Sequence, residues 1–252
     1  MLFDISNVDY SYPDGTPALR KISLSIEPGD RLAILGANGS GKSTLLRLLS
    51  GLLFPVSGTI AFRGKEVSES ALDRPDFSQE FRQSVGFIFQ NADAQLFNAT
   101  VFEEIAFGPQ QLGLAEADVR LRVWDVMTFL GIQHLADRPP FRLSGGEKRK
   151  VAIASVLSMN PDVIMFDEPF LGLDPRSQSW LIRTLGQLQE AGKTTIIATH
   201  TLETVPRIAD KAVVLFEDRS TFAIGKVTTL LSDLDLLSQA NLIEAIDAEV
   251  HS

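Results

Sequence analysis

Eight residues, Gly36-Ala37-Asn38-Gly39-Ser40-Gly41-Lys42-Ser43, constrain this chain more than any other stretch. They fit G-x-x-x-x-G-K-[ST], a pattern expected by chance about once in a hundred chains of similar size at average composition. The apolar run Arg31–Leu35 precedes them and the leucine-rich Thr44–Leu53 follows, so the order predicts strand, glycine-rich turn, helix. The glycines allow successive backbone N–H groups to curl around an anion without Cβ clashes, and the helix adds its positive end. A plain tight turn would account for the glycines. It would not account for Lys42-Ser43, whose ammonium and hydroxyl suit the outer phosphates of a nucleotide and its Mg²⁺.

A partner acid is expected at the end of a neighbouring buried strand, and Val163-Ile164-Met165-Phe166-Asp167-Glu168 supplies two. Ligands collect at the carboxyl ends of open α/β sheets. Asp167 is therefore expected to hold Mg²⁺, and Glu168 to orient and deprotonate an attacking water. Alone, a strand ending in Asp-Glu is weak; joined to the cradle it is specific. The absence of an Asn-Lys-x-Asp motif leaves guanine selection unsupported.

The rest of the chain follows an α/β rhythm with an interruption. Strand patterns are read over Leu2–Asp9, Ile22-x-Leu24-x-Ile26, Val85–Phe89, Thr194–Thr199 and Val213–Phe216, and a helix from about Arg176 to Ala191. Pro13-Asp14-Gly15 reads as a turn. Val119, Val123, Met127 and Leu130 recur at helical spacing before Gly131. The expected divisions are a nucleotide-binding core with an N-terminal β-subdomain over 1–89 and 151–216, a helical subdomain over 90–150 and a C-terminal extension over 217–252. That extension holds seven acidic and two basic residues. Leu230, Leu234 and Leu237, then Leu242, Ile246 and Val250, lie at helical spacing there, for packing on the chain's own body or for dimer contact.

Composition narrows the partners. The net charge of −9 argues against a nucleic-acid binder, whose footprint is basic. No cysteine is present, and the three histidines are scattered, so no transition-metal cluster is expected. No run reaches the ~18 apolar residues of a spanning helix. The opening Met1-Leu2-Phe3-Asp4 lacks the basic-then-apolar order of a secretion leader, so a soluble, cytoplasmic chain is expected.

Leu143-Ser144-Gly145-Gly146-Glu147 opens a helix expected over Lys148–Met159. A Ser-Gly-Gly turn at a helix start suits an anion, and Ser144 with Glu147 also makes a capping box; both can hold together. Cradle, Leu-Ser-Gly-Gly-Glu and Asp167-Glu168, in that order, resemble the nucleotide-binding subunit of ATP-binding cassette (ABC) ATPases from about Tyr12 to His200. The resemblance implies a P-loop NTPase (RecA-like) α/β core with an inserted α-helical subdomain. It implies ATP and Mg²⁺ held by Gly36, Asn38, Gly39, Ser40, Gly41, Lys42, Ser43 and Thr44, with Ser43, Gln90 and Asp167 on the metal. Tyr12 matches the aromatic that stacks on adenine, Gln90 the hinge glutamine, Leu171-Gly172-Leu173-Asp174 the loop that communicates across the dimer, and His200 the γ-phosphate histidine. Glu147 stands where the family pattern most often has glutamine.

Family geometry also implies that ATP is sandwiched between the cradle of one copy and Ser144, Gly145, Gly146 and Glu147 of another, as a homodimer or with a similar ATPase. Asn91–Phe97 and Thr100–Pro109 are similar to the ATPases of energy-coupling factor importers, which take up vitamins or transition-metal ions such as cobalt and nickel. Leu96, Phe97, Phe102 and Phe107 are exposed-looking apolar residues, expected to form a groove near Gln90–Phe97 for a helix of an integral membrane coupling subunit, beside a substrate-binding membrane subunit. The expected function is an ATP-hydrolysing importer motor at the cytoplasmic face of the membrane. Alternatives are a soluble cassette ATPase acting on nucleic acid or ribosomes, and a nucleotide-gated scaffold.

Overall fold

A computed structural model describes residues 1–219 and 222–244. Two sheets share the chain. The first is antiparallel, built from β1 (Phe3–Ser11), β2 (Pro17–Ile26), β4 (Ser57–Phe62) and the short β5 (Lys65–Glu66), in the order β2-β1-β4-β5. Between its strands the chain makes β3 (Arg31–Leu35) and α1 (Lys42–Leu49). After it come α2 (Glu69–Leu72), α3 (Pro75–Ser84) and β6 (Val85–Ile88). Helices α4 (Val101–Gln111), α5 (Glu116–Leu130) and α6 (Gly145–Leu157) form the insertion before β7 (Val163–Asp167). Then follow α7 (Pro175–Glu190), β8 (Thr194–Thr199), α8 (Val205–Ile208), β9 (Lys211–Leu215), β10 (Phe222–Lys226), α9 (Val227–Ser232) and α10 (Leu234–Gln239).

The second sheet runs β10-β9-β3-β8-β7-β6, parallel throughout except for β10, which pairs antiparallel with β9. Its central strands β3, β7 and β8 are buried nearly throughout because both faces are covered. Alternate residues divide between two cores. Ala33 and Leu35 of β3, with Ile164 and Phe166 of β7, pack towards the insertion helices. Leu32, Ile34, Val163 and Met165 pack towards α1 and the antiparallel sheet. The four apolar residues of α5 read at helical spacing are all buried, and Gly131 ends that helix at φ +69°, where a Cβ would be strained.

Several elements differ from the sequence expectation. Residues 57–84, for which no element was expected, supply β4, β5, α2 and α3. Only Ile60 and Phe62 of β4 are buried, too few for a periodic signal, yet Phe62 stacks edge-on against Phe81 of α3 at 5.3 Å. The helix after the cradle stops at Leu49, and α6 begins at Gly145 rather than Lys148 because the capping turn itself is helical. The leucines of the C-terminal segment do not share one helix. Asp233 breaks the run and caps α10; Leu230 and Leu237 are buried while Leu234 is half exposed. Leu242 packs against the core, whereas Ile246, Val250 and His251 lie outside the described residues.

Candidate active site

The cradle forms where β3 gives way to α1. Gly41 is the N-cap of α1 at φ +101°, and a Cβ there would sit 2.6 Å from the Ala18 carbonyl and 2.8 Å from Leu19 Cδ2. Only glycine satisfies both the backbone and the packing. Lys42 is buried, its Nζ donating to the carbonyls of Gly36 (2.9 Å) and Ala37 (3.0 Å) and lying 3.3 Å from Glu168 Oε1. Ser43 Oγ donates to Asp167 Oδ1 at 2.8 Å. Ser40 Oγ is buried with no partner among the described residues. The Tyr12 hydroxyl and Thr44 Oγ1 are hydrogen-bonded at 2.7 Å, which fixes the Tyr12 ring over the start of α1.

Strand β7 delivers the two acids. Asp167, its last residue, is buried, and that burial pushes its carboxyl above the ordinary Asp range despite the Ser43 bond. A carboxylate that is costly to leave unpaired, beside a hydroxyl oxygen, is a donor set for a hard cation such as Mg²⁺, so these residues fit the metal. Glu168 follows at φ +46°, a strained backbone for a side-chain-bearing residue, of the kind that clusters at functional sites. Its carboxylate meets Lys42 and His200, with His200 Nδ1 at 3.0 Å from Oε1.

One cavity of about 580 Å³ gathers most of the expected residues: Tyr12, Asn38, Gly39, Lys42, Gln90, Glu168 and His200 all line it. Gly41, Ser43 and Thr44 do so too. Leu171, half exposed, and Arg219 complete one side. Arg219 carried no sequence signal, because it comes from the β9–β10 turn, distant in the chain from every motif. Ser144, Gly145, Gly146 and Glu147 are not among the lining residues. They form a separate, solvent-facing helix start. There Ser144 Oγ donates to Glu147 Oε2 (2.7 Å), while the Ser144 N–H donates to the same oxygen (2.8 Å). The Ser144 hydroxyl, then its backbone N–H, hold the Glu147 carboxyl below its usual range.

The apolar residues after Gln90 divide into two pairs. Phe97, 67% exposed, meets Phe107 edge-on at 5.0 Å, and both line a groove of about 720 Å³ with Gly108, Leu112 and Met159. Leu96, before α4, and Phe102, in its first turn, instead pack against the buried core that the insertion helices share. Buried Glu104 holds the groove wall, accepting from the N–H groups of Phe97 (2.8 Å) and Asn98 (2.7 Å). Gln95 Nε2 donates to the Ala152 carbonyl (2.8 Å), tying the segment after Gln90 to α6.

A cradle with its acid pair on one side and a capped Ser-Gly-Gly helix start on another is an arrangement to set beside known proteins. The ABC transporter family model matches residues 19–171. The chain belongs to the ABC transporter family. Its fold is that of the ABC ATPases, and like them it is an ATP-binding protein whose hydrolysis of ATP is coupled to transport. This ABC ATPase is 44% identical to the nickel import ATP-binding protein NikO of Rhodobacter capsulatus, over 97% of each chain. It is 41% identical to the energy-coupling factor transporter ATP-binding protein EcfA of Methanothermobacter thermautotrophicus, covering 96% of this chain and 76% of that one. The structure of cbiO1 from Clostridium perfringens, part of the ABC transporter complex cbiONQ, superposes with a TM-score of 0.81 at 38% identity. That match covers 96% of this ABC chain and 94% of cbiO1. Among the described residues, no helix is long and apolar enough to cross a membrane.

Proposed function

We propose that this ABC ATPase is the motor subunit of an energy-coupling factor type importer for a transition-metal ion (cobalt or nickel) or a vitamin, driven by ATP-sandwich dimerisation. The observation that carries the reading is the position of Glu168, between Lys42 and His200 and one residue beyond the Asp167–Ser43 pair. Lys42 exchanges its two backbone carbonyls for β- and γ-phosphate oxygens, and the glycine-rich turn donates its N–H groups to the same phosphates. Tyr12 stacks on the adenine. Ser43, Asp167 and Gln90 would hold Mg²⁺, which would supply neutralisation of phosphate charge when bound. Glu168 orients a water towards the γ-phosphorus and takes its proton as the bond to ADP breaks; His200 holds the γ-phosphate and the Glu168 carboxylate in register.

Because Ser144, Gly145, Gly146 and Glu147 lie off the cavity, completion of the site needs a second copy, or a similar ATPase, that brings its own helix start to the phosphate. Leu171-Gly172-Leu173-Asp174 leads from the cavity wall into α7 and relays that contact. The Phe97–Phe107 groove receives a short helix of an integral membrane coupling subunit, next to the membrane subunit that selects the cargo. Gln95 accepts from the N–H of Phe89, the residue before Gln90, and donates to α6, while Glu104 holds Phe97 at the groove, so closure at the phosphate moves the membrane partner. Such a subunit works on the cytoplasmic face of the membrane as a peripheral protein.

The deciding experiment compares the mass of Glu168→Gln by size exclusion with and without Mg-ATP, alongside phosphate release by the native chain. The proposal expects native turnover, and for the variant no turnover with an ATP-dependent doubling of mass. Native levels of turnover in Glu168→Gln would remove Glu168 from its assigned role. A variant that binds ATP yet stays monomeric would refute self-sandwiching and leave pairing with a different ATPase.

A further inference from the structure

Arg219 is a charged side chain of the cavity that no motif accounts for. It sits in the turn between β9 and β10, where its backbone adopts φ +60°. A non-glycine residue in that region carries a backbone cost that glycine would avoid. Its Nη1 donates to the Pro17 carbonyl, on the segment that follows the Tyr12 turn. Its Nε is buried with no partner among the described residues. The side chain is thereby drawn across more than two hundred positions of sequence, to the wall of the cavity formed by Tyr12, Thr16, Pro17 and Ala18.

That wall borders the cradle at Gly41 and Thr44 but carries no charged group of its own. Lys42, Gly39 and Ser43 supply the anion cradle, and Glu168 with His200 the hydrolytic end. Tyr12 and residues 16–18 carry no charge and offer an aromatic ring, short side chains and carbonyls. A guanidinium tethered there by one nitrogen presents a planar, weakly hydrated face that can stack flat on a heteroaromatic ring, a geometry a compact, strongly hydrated ammonium lacks.

Resting on the reading of this cavity as the nucleotide site, we propose that Arg219 binds the nucleoside end of the nucleotide, its planar guanidinium packing with Tyr12 around the base. The C-terminal hairpin then contributes to nucleotide affinity as well as to the sheet.

The test measures equilibrium binding of Mg-ADP and of Mg-pyrophosphate to the full chain by calorimetry, for the native protein and two variants. Arg219→Gly suits the left-handed backbone, so its thermal midpoint should match or exceed the native one while its Mg-ADP affinity falls about five- to tenfold. Its pyrophosphate affinity should stay within about twofold of native. Arg219→Lys keeps the charge but not the plane and should not recover Mg-ADP binding. Equal weakening towards ADP and pyrophosphate would overturn the proposal in favour of a phosphate contact. Unchanged ADP affinity would reduce Arg219 to a tether for Pro17, and recovery by lysine would show that charge alone acts. A folded native chain that binds neither ligand would overturn the nucleotide-site reading itself, and this proposal with it.

Discussion

Replacing Lys42 by methionine tests both the stability and the chemistry of the site. Methionine keeps the apolar stem of the lysine, so little cavity is opened. What is lost is the charge 3.3 Å from Glu168 Oε1, in a pair whose side chains are only 6% and 8% exposed. At that separation and an effective dielectric of about 20, the attraction is about 5 kcal/mol, offset in part by desolvation of both ions. Removing one partner of a buried pair typically costs about 3–5 kcal/mol, and the lower end applies because Glu168 keeps His200 at 3.0 Å. In a chain of this size about 3 kcal/mol lowers the thermal midpoint by about 6–12 °C. The double variant Lys42→Met with Glu168→Gln leaves no stranded carboxylate, so its loss should fall short of the two single losses added together by about 2 kcal/mol. Urea and thermal unfolding near neutral pH without nucleotide measure all three variants. Strict additivity, or a Lys42→Met midpoint within a degree of native, would refute the buried pair. Saturating Mg-ATP supplies a second readout: about 2.7 kcal/mol of stabilisation for the native chain at one hundred times Kd, and none for Lys42→Met.

Three further outcomes follow from the same geometry. Burial raises the Asp167 carboxyl, so its contribution to stability is fully present below the ordinary Asp range and is lost as pH rises through the folded-state value. Asp167→Asn should therefore raise the midpoint of the nucleotide-free protein by about 2–4 °C at neutral pH, converge with native in acid, and abolish stabilisation by Mg²⁺; a lower midpoint at neutral pH would contradict the burial argument. Ser144→Ala removes the N-cap of α6 and should cost about 1 kcal/mol. Because Ser144 depresses the Glu147 carboxyl, that cost should be full above the ordinary Glu range and shrink as pH falls through the lowered value, seen by unfolding across pH. Phe97→Ser with Phe107→Ser should leave ATPase activity of the isolated chain within about twofold while weakening co-purification with the membrane subunits at least about tenfold. Undiminished assembly would remove the groove from its role.

The motifs that do chemistry were legible in the sequence because each is a local run whose spacing is dictated by the backbone. Gly41, Lys42 and Ser43 must be consecutive for a helix N-terminus to meet a phosphate, and Asp167-Glu168 must end a buried strand. Strands buried on both faces announce themselves by apolar or β-branched runs, as β7 and the threonine- and isoleucine-rich β8 do. By contrast, β4 and α3 escaped notice because their burial depends on partners elsewhere in the chain: Phe62 and Phe81 become a core only when folded together.

What the sequence by itself determined is therefore the chemistry and its order along the chain, since a phosphate cradle, an acid-tipped strand and a capped Ser-Gly-Gly turn are each set by a few adjacent residues. Tertiary structure alone decided how they meet. It turned Glu168 towards Lys42 and His200, and kept Ser144 off the cavity. It sent Phe97 and Phe107 outwards but Leu96 and Phe102 inwards, and it brought Arg219 to the wall beside Tyr12. The physical reason is that direction and contact depend on backbone dihedrals and on packing between segments far apart in the chain, which no local pattern of residues encodes.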